Sequence, residues 1–424
     1  MQVSPVLPPM DVPVVLPQTK THSPSSARRR DAEQGAGTEA CPNSRSVRVL
    51  VWLLRATGHC GGRGGLATVY ALLLYAPISC ACLWTAVDEL RAGRRQMAAT
   101  GAFFAASFYS NFFGLTHVLA WVPVTCTFLA GRRRYKALLA EIRRTLAETV
   151  GVSSTGAVCT GLRRLSRRLL ALTVAVTGFV LANHLLQLGI GTRCAEGPAA
   201  CARTALFSLL LAALDLCLFF IPVKLCLATA LLCSGFEILA AELQSLAARG
   251  PVCRLRLVRL RRRQEALSSL ARRLMDGMRI ELVPCMLYGM TMQVSTYLLA
   301  VLAARSQNTP NGPLFVLSIY RAAFMLIMPC ESAQQLQNRC TRLRDSQLRL
   351  HADDVAANQE LLLLLETTRR DLDSIGDLAL YRLQRPTILA ISSTVITYLI
   401  VLVQFQLTEQ SGTTAGPPTA SAPQ

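Results

Sequence analysis

The sequence has few acidic and few aromatic residues for its length. Its 424 residues include 25 Asp and Glu against 44 Lys and Arg, which gives a formal net charge of +19, and only 6% of them are aromatic. An excess of positive charge is typical of nucleic-acid-binding proteins when it forms one patch or stripe. Here the cations are spread over four stretches that long apolar segments separate, so we expect no nucleic-acid partner.

The sequence also lacks the residue patterns of a metal site or an active site. Its five histidines and 15 cysteines form no CxxC motif and no Cys/His cluster with metal-ligand spacing. His184 has no nucleophile at a recognisable spacing, and the glycine-rich stretch 61–65 precedes an apolar segment instead of following a strand. We therefore expect no metal, no cofactor and no enzymatic activity.

Long apolar segments, by contrast, are abundant. Hydrophobic residues make up 52% of the chain, and its mean hydropathy is +0.37. A helix of about 20 apolar residues crosses a hydrocarbon core of about 30 Å. Seven segments approach or exceed this length, namely 66–87, 97–130, 169–190, 204–233, 282–303, 313–330 and 386–407. The sequence therefore predicts an all-α membrane protein with seven transmembrane helices.

Lys and Arg are concentrated on one side of these segments. The stretches 1–65, 131–168, 234–281 and 331–385 contain 36 of the 44 cations. Because cytoplasmic loops carry the excess of Lys and Arg, the N-terminus is predicted to be cytoplasmic and the C-terminus extracellular. A G-protein-coupled receptor, which is one alternative, has the opposite orientation, and its DRY and NPxxY motifs are absent here.

The remaining segments give the predicted domain organisation. Residues 1–65 are expected to form a disordered cytoplasmic tail with a short interfacial segment at 49–54. Basic cytoplasmic loops connect the spans between 66 and 330. A cytoplasmic helical assembly region is predicted for 331–385, and an extracellular tail for 408–424.

The basic cytoplasmic stretches 132–168, 236–279 and 334–381 mix Leu and Ala with Arg at helical spacing. Such helices either lie against anionic lipid head groups or pack together as an assembly domain. The apolar run Leu361 to Leu365 favours the second interpretation, because an exposed run of this kind promotes aggregation.

The last segment, 386–407, carries polar side chains in register. At about 100° per residue, Ser393, Thr397, Val401 and Gln404 fall along one line of the helix. In lipid an unsatisfied amide costs several kcal/mol, so this line needs polar surroundings. It either binds the helix to its neighbours or surrounds a water-filled pore together with copies from other subunits.

Thr397-Tyr398, then five apolar residues, then Gln404-Phe405, all close to the C-terminus, resemble the signature of the insect and arthropod gustatory receptor family. Outside this segment the resemblance is one of layout only. It implies a ligand-gated, non-selective cation channel, opened by a small-molecule tastant, with the last helix of each subunit lining the pore. Glu409 follows this helix, and a ring of such carboxylates at the mouth would favour cations.

The same resemblance implies where the protein acts and with what. It places the protein as a multi-pass subunit in the plasma membrane of a sensory neuron. The expected partners are a small-molecule tastant, membrane lipid, and related receptor subunits in a homo- or hetero-tetramer. No conclusion about the identity of the tastant follows from the sequence.

Polar and charged side chains occupy the outer half of the third to sixth segments. They are Asn183, His184, Gln187, Asp215, Gln293, Tyr297, Ser318, Tyr320 and Arg321. For any one of them a hydrogen bond between helices explains its presence equally well, but as a set they favour a ligand pocket open to the outside.

Three charged residues lie inside the predicted segments. A charge in a span costs about 2.5–3.5 kcal/mol, so each needs an explanation, and Asp215 and Arg321 are candidates to pair with each other. In a secondary transporter, the second alternative, they would be coupling groups, but we find no internal repeat. Lys224 lies nearer the inner end of its segment, where its side chain can extend to the membrane surface, and this position favours a structural role.

One pair of cysteines, Cys194 and Cys201, falls in a predicted external loop. Their surroundings are oxidising in this orientation, so the two thiols are candidates for a disulfide. Two free thiols explain the pair equally well.

Overall fold

The chain is helical almost throughout in the computed structural model. The structure describes residues 44–61, 65–100, 108–150, 156–190, 198–305, 312–352, 354–380 and 382–414. Apart from short turns, these ranges contain two isolated β-bridges, Val252 with Ala352 and Asp377 with Arg382. The predicted N-terminal tail up to residue 43 and the last ten residues lie outside the described ranges. The all-α fold is confirmed.

Within the described ranges the helices follow one another in a simple order. They are α1 (Arg45–Ala56), α2 (Gly65–Thr100), α3 (Phe108–Cys126), α4 (Arg132–Val150), α5 (Gly156–Ile190), α6 (Pro198–Ala247), α7 (Arg254–Arg305), α8 (Gly312–Gln347), α9 (Val355–Ser374) and α10 (Arg385–Thr414). A π-helical turn, Thr127–Gly131, joins α3 to α4 in one continuous rod. Seven long rods result in these ranges. Six of them contain one predicted segment each. The second predicted segment, 97–130, was predicted to begin too early, because residues 97–100 belong to α2 and only residues 108–130 lie in the rod of α3 and α4.

Membrane crossing is supported by length and composition. In the described part of the chain, four segments are long and apolar enough to cross a membrane: Thr68–Arg95, Gly114–Thr149, Thr160–Ala182 and Cys201–Ala247. The shorter apolar stretch Arg385–Val401 belongs to α10. Helices α6 and α7 contain 50 and 52 residues, more than twice what a bilayer needs. Their charged ends therefore form the predicted helical extensions on the cytoplasmic side.

Helix α6 is the centre of the fold. Every residue from 217 to 236 is buried, so this part of the helix is covered on all sides. It packs against α4, α5, α7 and α8. A helix that is apolar all round is stable only in such a central position, because no face of it suits water.

Three buried polar side chains fix the register of the cytoplasmic extensions. Gln264 on α7 donates to Thr368 on α9 at 2.7 Å, and Thr368 donates to Gln347 on α8 at 2.8 Å. Gln347 closes the ring by donating to Gln264 at 2.8 Å. Because a partly satisfied buried network is costly, this ring favours one alignment of the three helices.

The apolar run of α9 is divided between two faces. Leu361 and Leu364 are buried in the core of the extensions, as helical spacing dictates. Leu362 and Leu363 remain 60% and 49% exposed in the single chain. The run is thus packed on one side and leaves an apolar surface on the other.

Candidate ligand site and pore helix

His184, Asp215 and Arg321 meet in one buried cluster that joins α5, α6 and α8. Asp215 Oδ2 lies 3.2 Å from His184 Nε2, and Asp215 Oδ1 accepts a hydrogen bond from Arg321 Nη1. The side chains of Asp215 and Arg321 are only 9% and 15% exposed. The candidate pairing of Asp215 with Arg321 therefore exists, and His184 is its third member.

Two α7 residues that the sequence analysis did not single out complete this cluster. The Arg321 guanidinium lies 5.8 Å from the centre of the Tyr288 ring, and its Nη2 lies 3.9 Å from Met292 Sδ. The negative face of an aromatic ring attracts a cation. An aromatic residue and a methionine in an apolar segment are usually core residues, so residue type alone provided no reason to select them. The usable signal was their spacing of four, which puts both on one face of α7.

Several buried polar atoms around the cluster have no hydrogen-bond partner among the described residues. They are His184 Nδ1, Gln293 Oε1, Ser295 Oγ and Arg321 Nε. Buried polar atoms in proteins are nearly always paired, so such a group is typical of a site that binds a ligand. Gln293 uses only its amide nitrogen, which donates to the Tyr297 hydroxyl at 3.3 Å.

The remaining predicted pocket residues are distributed differently. Tyr320 is 37% exposed, and its ring lies 6.3 Å from that of Phe179 and 6.4 Å from that of Phe324. It therefore belongs to an aromatic group beside the cluster. The side chains of Asn183, Gln187 and Ser318 lie outside the described part of the structure.

The predicted cysteine pair is described only in part. Cys201, in the first turn of α6, is disulfide-bonded. Cys194 lies outside the described residues, so the pairing of these two residues stays a prediction.

A second buried ion pair lies on α6 toward the cytoplasm. Lys224 is fully buried and donates to Glu281 of α7, whose carboxylate also accepts from Thr127 at 2.6 Å. Tyr135 donates to the Lys224 carbonyl at 2.9 Å, and its ring lies 5.6 Å below the ammonium group. Lys224 therefore does not extend to the membrane surface, contrary to what its position near the inner end of the segment suggested. The rod formed by α3 and α4 and the extension of α7 cover the inner end of α6.

The π-helical turn makes room for Glu281. A Cβ on Gly131 would lie 1.9 Å from Glu281 Oε1, so only glycine fits at this position. The extra residue of a π-turn shifts the helix face, and here Thr127 and Gly131 both contact Glu281. Nothing in the sequence pattern indicated this contact, because it joins residues about 150 positions apart.

The predicted pore helix α10 lies at the edge of the chain. It packs against α7 and α8, where Ile391 and Val395 are its buried residues in the described part. The predicted polar line falls on the uncovered side, since Ser393, Thr397, Val401 and Gln404 are all exposed. The arrangement leaves this face of the helix open to contact from outside the chain.

The hydroxyl groups on this face are satisfied within the helix. Ser393 donates to the Ala390 carbonyl at 3.0 Å, and Thr397 donates to the Ser393 carbonyl at 2.9 Å. Neither hydroxyl needs a neighbouring helix, so both are free to accept hydrogen bonds from water. Tyr398, which follows Thr397 and lies about 100° from it around the helix, is 63% exposed. The side chains of Phe405 and Glu409 lie outside the described residues.

A charged clamp holds the cytoplasmic end of α10 to α8. Arg385 Nε and Nη2 donate to the two oxygens of Glu331 at 3.0 and 2.9 Å. These hydrogen bonds lower the pKa of the Glu331 carboxyl group below its usual value. Such a bidentate pair fixes direction as well as distance, so it defines how the start of α10 lies against α8.

Among the cavities lined by described residues are two of about 350 and 420 Å³ at the cytoplasmic ends of the helices. Neither is lined by His184, Asp215 or Arg321. The candidate ligand site therefore rests on its buried polar atoms and its charges, and not on a cavity volume.

The chain was compared with known proteins. A family profile described as 7tm chemosensory receptor matches residues 59–409. The fold is similar to that of insect olfactory receptor OR5 from Machilis hrabei in complex with eugenol, with a TM-score of 0.55, 12% identity, and coverage of 85% of this chain and 97% of that one. A second structure of OR5 gives a TM-score of 0.57 and 11% identity with the same coverage.

Among curated protein sequences, none is significantly similar to this chain. At such low identity, the structural similarity to the solved receptors shows a shared fold and nothing more. The family profile extends over most of the chain, from residue 59 to residue 409. With its seven long helical rods and its terminal Thr-Tyr and Gln-Phe pairs, the chain belongs to the 7tm chemosensory receptor family.

Proposed function

We propose that this protein is a gustatory receptor, a subunit of a ligand-gated, non-selective cation channel that a small-molecule tastant opens. The observation that carries the proposal is the exposed polar line of α10, formed by Ser393, Thr397 and Gln404. We place this helix, with its apolar stretch Arg385–Val401, across the membrane. Such a line is unfavourable against lipid. Four copies of α10 around one axis would turn it toward water.

The position of α10 supports a channel formed by several subunits. Only a narrow strip of the helix packs on its own chain, and Leu389, Ile396 and Tyr398 are 73%, 53% and 63% exposed. Leu362 and Leu363 of α9 form a second exposed apolar surface in the cytoplasmic extensions. Assembly with identical or related subunits would cover the α9 surface and part of α10, with membrane lipid around the outside.

The gate is proposed to lie at the outer end of α10. Rings of Val401 or Phe405 side chains close a pore by excluding water. Rotation of the helix would turn Gln404 toward the pore axis, and its polar side chain would let water enter. Glu409 would place a ring of carboxylates at the mouth and favour cations. This assignment follows the family motif, which matches Thr397, Tyr398, Gln404 and Phe405.

The ligand site is proposed around His184, Asp215 and Arg321. A ligand opens a channel only if it binds the open state more tightly than the closed state. Helix α10 contacts α7 and α8, which carry Gln293 and Arg321 respectively. A ligand that shifts these two helices therefore acts directly on the helices that hold the pore helix in place.

The cluster favours a neutral ligand with a hydroxyl or similar polar group. Asp215 is already compensated by Arg321, so an ionic ligand would have to break that pair. The unpaired atoms offer a ring nitrogen, an amide oxygen and a hydroxyl, which suit a neutral hydrogen-bonding molecule. The OR5 complex contains eugenol, itself a neutral phenol.

Whole-cell current recording tests the proposal. Cells that express the chain, alone and with a related receptor subunit, are exposed to a panel of neutral and charged tastants while external Na⁺ is replaced by a large cation. We expect dose-dependent inward currents that the replacement abolishes. Substrate uptake without current would instead support the transporter alternative. Surface protein that gives neither current nor uptake would contradict a channel opened by these compounds.

A further inference from the structure

A basic cavity of about 350 Å³ lies where the end of α1, the start of α2 and the start of α4 meet. Three cations line it, Arg55, Arg132 and Lys136, and the other lining residues include Gly61 and Tyr70. No acidic side chain is among the described residues that line it. The cavity lies at the cytoplasmic ends of the first two rods and is separate from the candidate ligand site.

The cavity is built by the tight turn that follows α1. Gly58 has φ +76°, and a Cβ at that position would lie 2.6 Å from the Phe128 ring. Three residues later, a Cβ on Gly61 would lie 3.2 Å from Arg132 Cδ. Arg132 itself is only 6% exposed. Gly58 therefore lets the turn pass closely over the Phe128 ring, and Gly61 lets it pass over the buried Arg132, which forms one wall of the cavity.

Two of the three cations, Arg55 and Lys136, have no ion-pair partner in the described part of the chain. Like charges held together in a partly desolvated site repel, and an anion between them removes that cost. Arginine forks and a lysine are the side chains that recognise phosphate oxygens.

Helix α1 places the mouth of the cavity at the membrane surface. Leu50 and Leu54 are fully buried against the bundle. Arg48, Trp52 and Arg55 point away from it, and Trp52 is 63% exposed. A helix with one apolar face and a basic face that carries Trp is typical of the boundary between head groups and acyl chains. The cavity at its end is therefore at the depth of the lipid phosphates.

We propose that this cavity binds a phosphate group, and that the group is the head group of an anionic lipid in the cytoplasmic leaflet. Arg55 and Lys136 contact the phosphate oxygens, and the buried Arg132 provides the charge at the base of the site. Basic pockets between membrane helices on the cytoplasmic side bind such head groups. The inference does not depend on which tastant, if any, binds in the outer half of the bundle.

Lipid binding to the purified full-length protein tests the site. The protein is reconstituted in phosphatidylcholine nanodiscs and titrated with a short-chain phosphatidylinositol bisphosphate, and bound lipid is counted by native mass spectrometry. Lys136→Gln and Arg55→Gln are each expected to weaken binding about fivefold. The matched controls are Arg133→Gln, next to the cavity on α4, and Arg48→Gln, on the outer face of α1. Each control removes the same charge from an exposed position and should change binding less than about twofold.

Each outcome decides the proposal. Losses confined to the two cavity variants support it. Equal losses in cavity and control variants overturn the site, because they show attraction to the basic surface in general. A parallel titration with inorganic phosphate separates the two sources of the anion. Binding of inorganic phosphate in the absence of lipid binding overturns the lipid assignment. None of these readouts uses channel activity, so failure of the proposed channel function does not affect them.

Discussion

Helix α6 carries two buried ion pairs that are built in different ways. Near the cytoplasm, Lys224 and Glu281 are 0% and 3% exposed, and Thr127 and Tyr135 supply further hydrogen bonds. In the outer half, Asp215 pairs with Arg321 and His184, yet neighbouring polar atoms stay without partners among the described residues. The inner pair is closed and suits a structural role, whereas the outer pair keeps the hydrogen-bonding capacity that a ligand needs.

The difference follows from what covers each pair. The inner pair lies beneath the π-turn and the long extension of α7, which exclude water and leave space for no side chain at Gly131. The outer pair lies where α5, α6 and α8 meet, beside the aromatic group of Phe179, Tyr320 and Phe324. Two charges on one helix thus differ in their surroundings because their neighbours differ.

The largest effect is expected from Glu281→Gln. This change leaves the fully buried Lys224 without a counter-charge, and breaking a buried pair costs about 3–5 kcal/mol. We expect little folded protein by size-exclusion chromatography and a strongly reduced Tm. The double variant Lys224→Met with Glu281→Gln should recover part of the loss. A single variant as stable as the wild type would mean that the inner pair is not structural. Arg273→Gln, which removes an exposed pair with Glu141, is the control.

The next largest effect is expected from Asp215→Asn, and it should fall on ligand response. The amide keeps the shape of Asp215 but leaves Arg321 uncompensated. Breaking a buried pair costs about 3–5 kcal/mol, and we expect the lower end here because Arg321 is 15% exposed, whereas Lys224 is fully buried. We expect a shift of about tenfold or more in the tastant concentration for half-maximal current, with folded protein retained. If stability collapses while the response of the surviving channels is unchanged, the two ion pairs have the same structural role.

A smaller structural effect, but a clear functional one, is expected in α10. Thr397→Val removes a hydroxyl from the polar line, while Thr394→Val removes one from the same helix about 60° away. Both threonines are exposed, so either substitution should change the free energy of unfolding by less than about 0.5 kcal/mol. Single-channel recording should show altered conductance or gating in Thr397→Val and in Gln404→Ala, but not in Thr394→Val. Equal behaviour of the two threonine variants would contradict a pore along this line.

The smallest effect concerns another buried acid, Asp371 on α9. It tests the effect of burial on an acid separately from the effect of ion pairing. Its oxygen accepts from Ser268, but burial is the largest influence and raises its pKa above the usual value. A raised pKa means that the folded state binds the proton more tightly. Stability therefore falls as pH rises from the unfolded pKa through the folded pKa.

Asp371→Asn should remove this pH dependence. At neutral pH we expect Tm to rise by no more than about 2 °C, because the amide carries no buried charge. Thermal unfolding of both proteins between pH 4 and pH 7 measures the difference. A wild-type Tm that rises with pH more steeply than that of the variant would show that Asp371 is stabilised as a carboxylate.

The sequence predicted the fold to the extent that hydropathy controls it. Segment length, apolar content and the distribution of Lys and Arg predicted seven helices. Six predicted segments each lie within one long rod, whereas the second, 97–130, was predicted to begin too early, because residues 97–100 belong to α2. The same pattern put the polar line of α10 on one face, and the structure leaves that face uncovered. These features are readable because a bilayer imposes a fixed length and a strong preference for apolar side chains.

The candidate ligand site was predicted only in part. Asp215, Arg321 and His184 were selected because polar groups inside a membrane are costly, and this reasoning depends on residue type alone. Tyr288 and Met292 were missed because such residues occur in any core. The ion pair of Lys224 was missed, because its partner Glu281 lies outside the predicted spans.

By itself the sequence determined the helical class, the number of spans, the orientation and the line of polar residues on the last helix. Each of these depends on local composition and periodicity. Only the tertiary structure decided which charges meet, where glycine is required, and where cations converge. Those contacts join Thr127 to Glu281 and Asp215 to Arg321, which are 154 and 106 residues apart. They are set by how the helices pack, which no local pattern records.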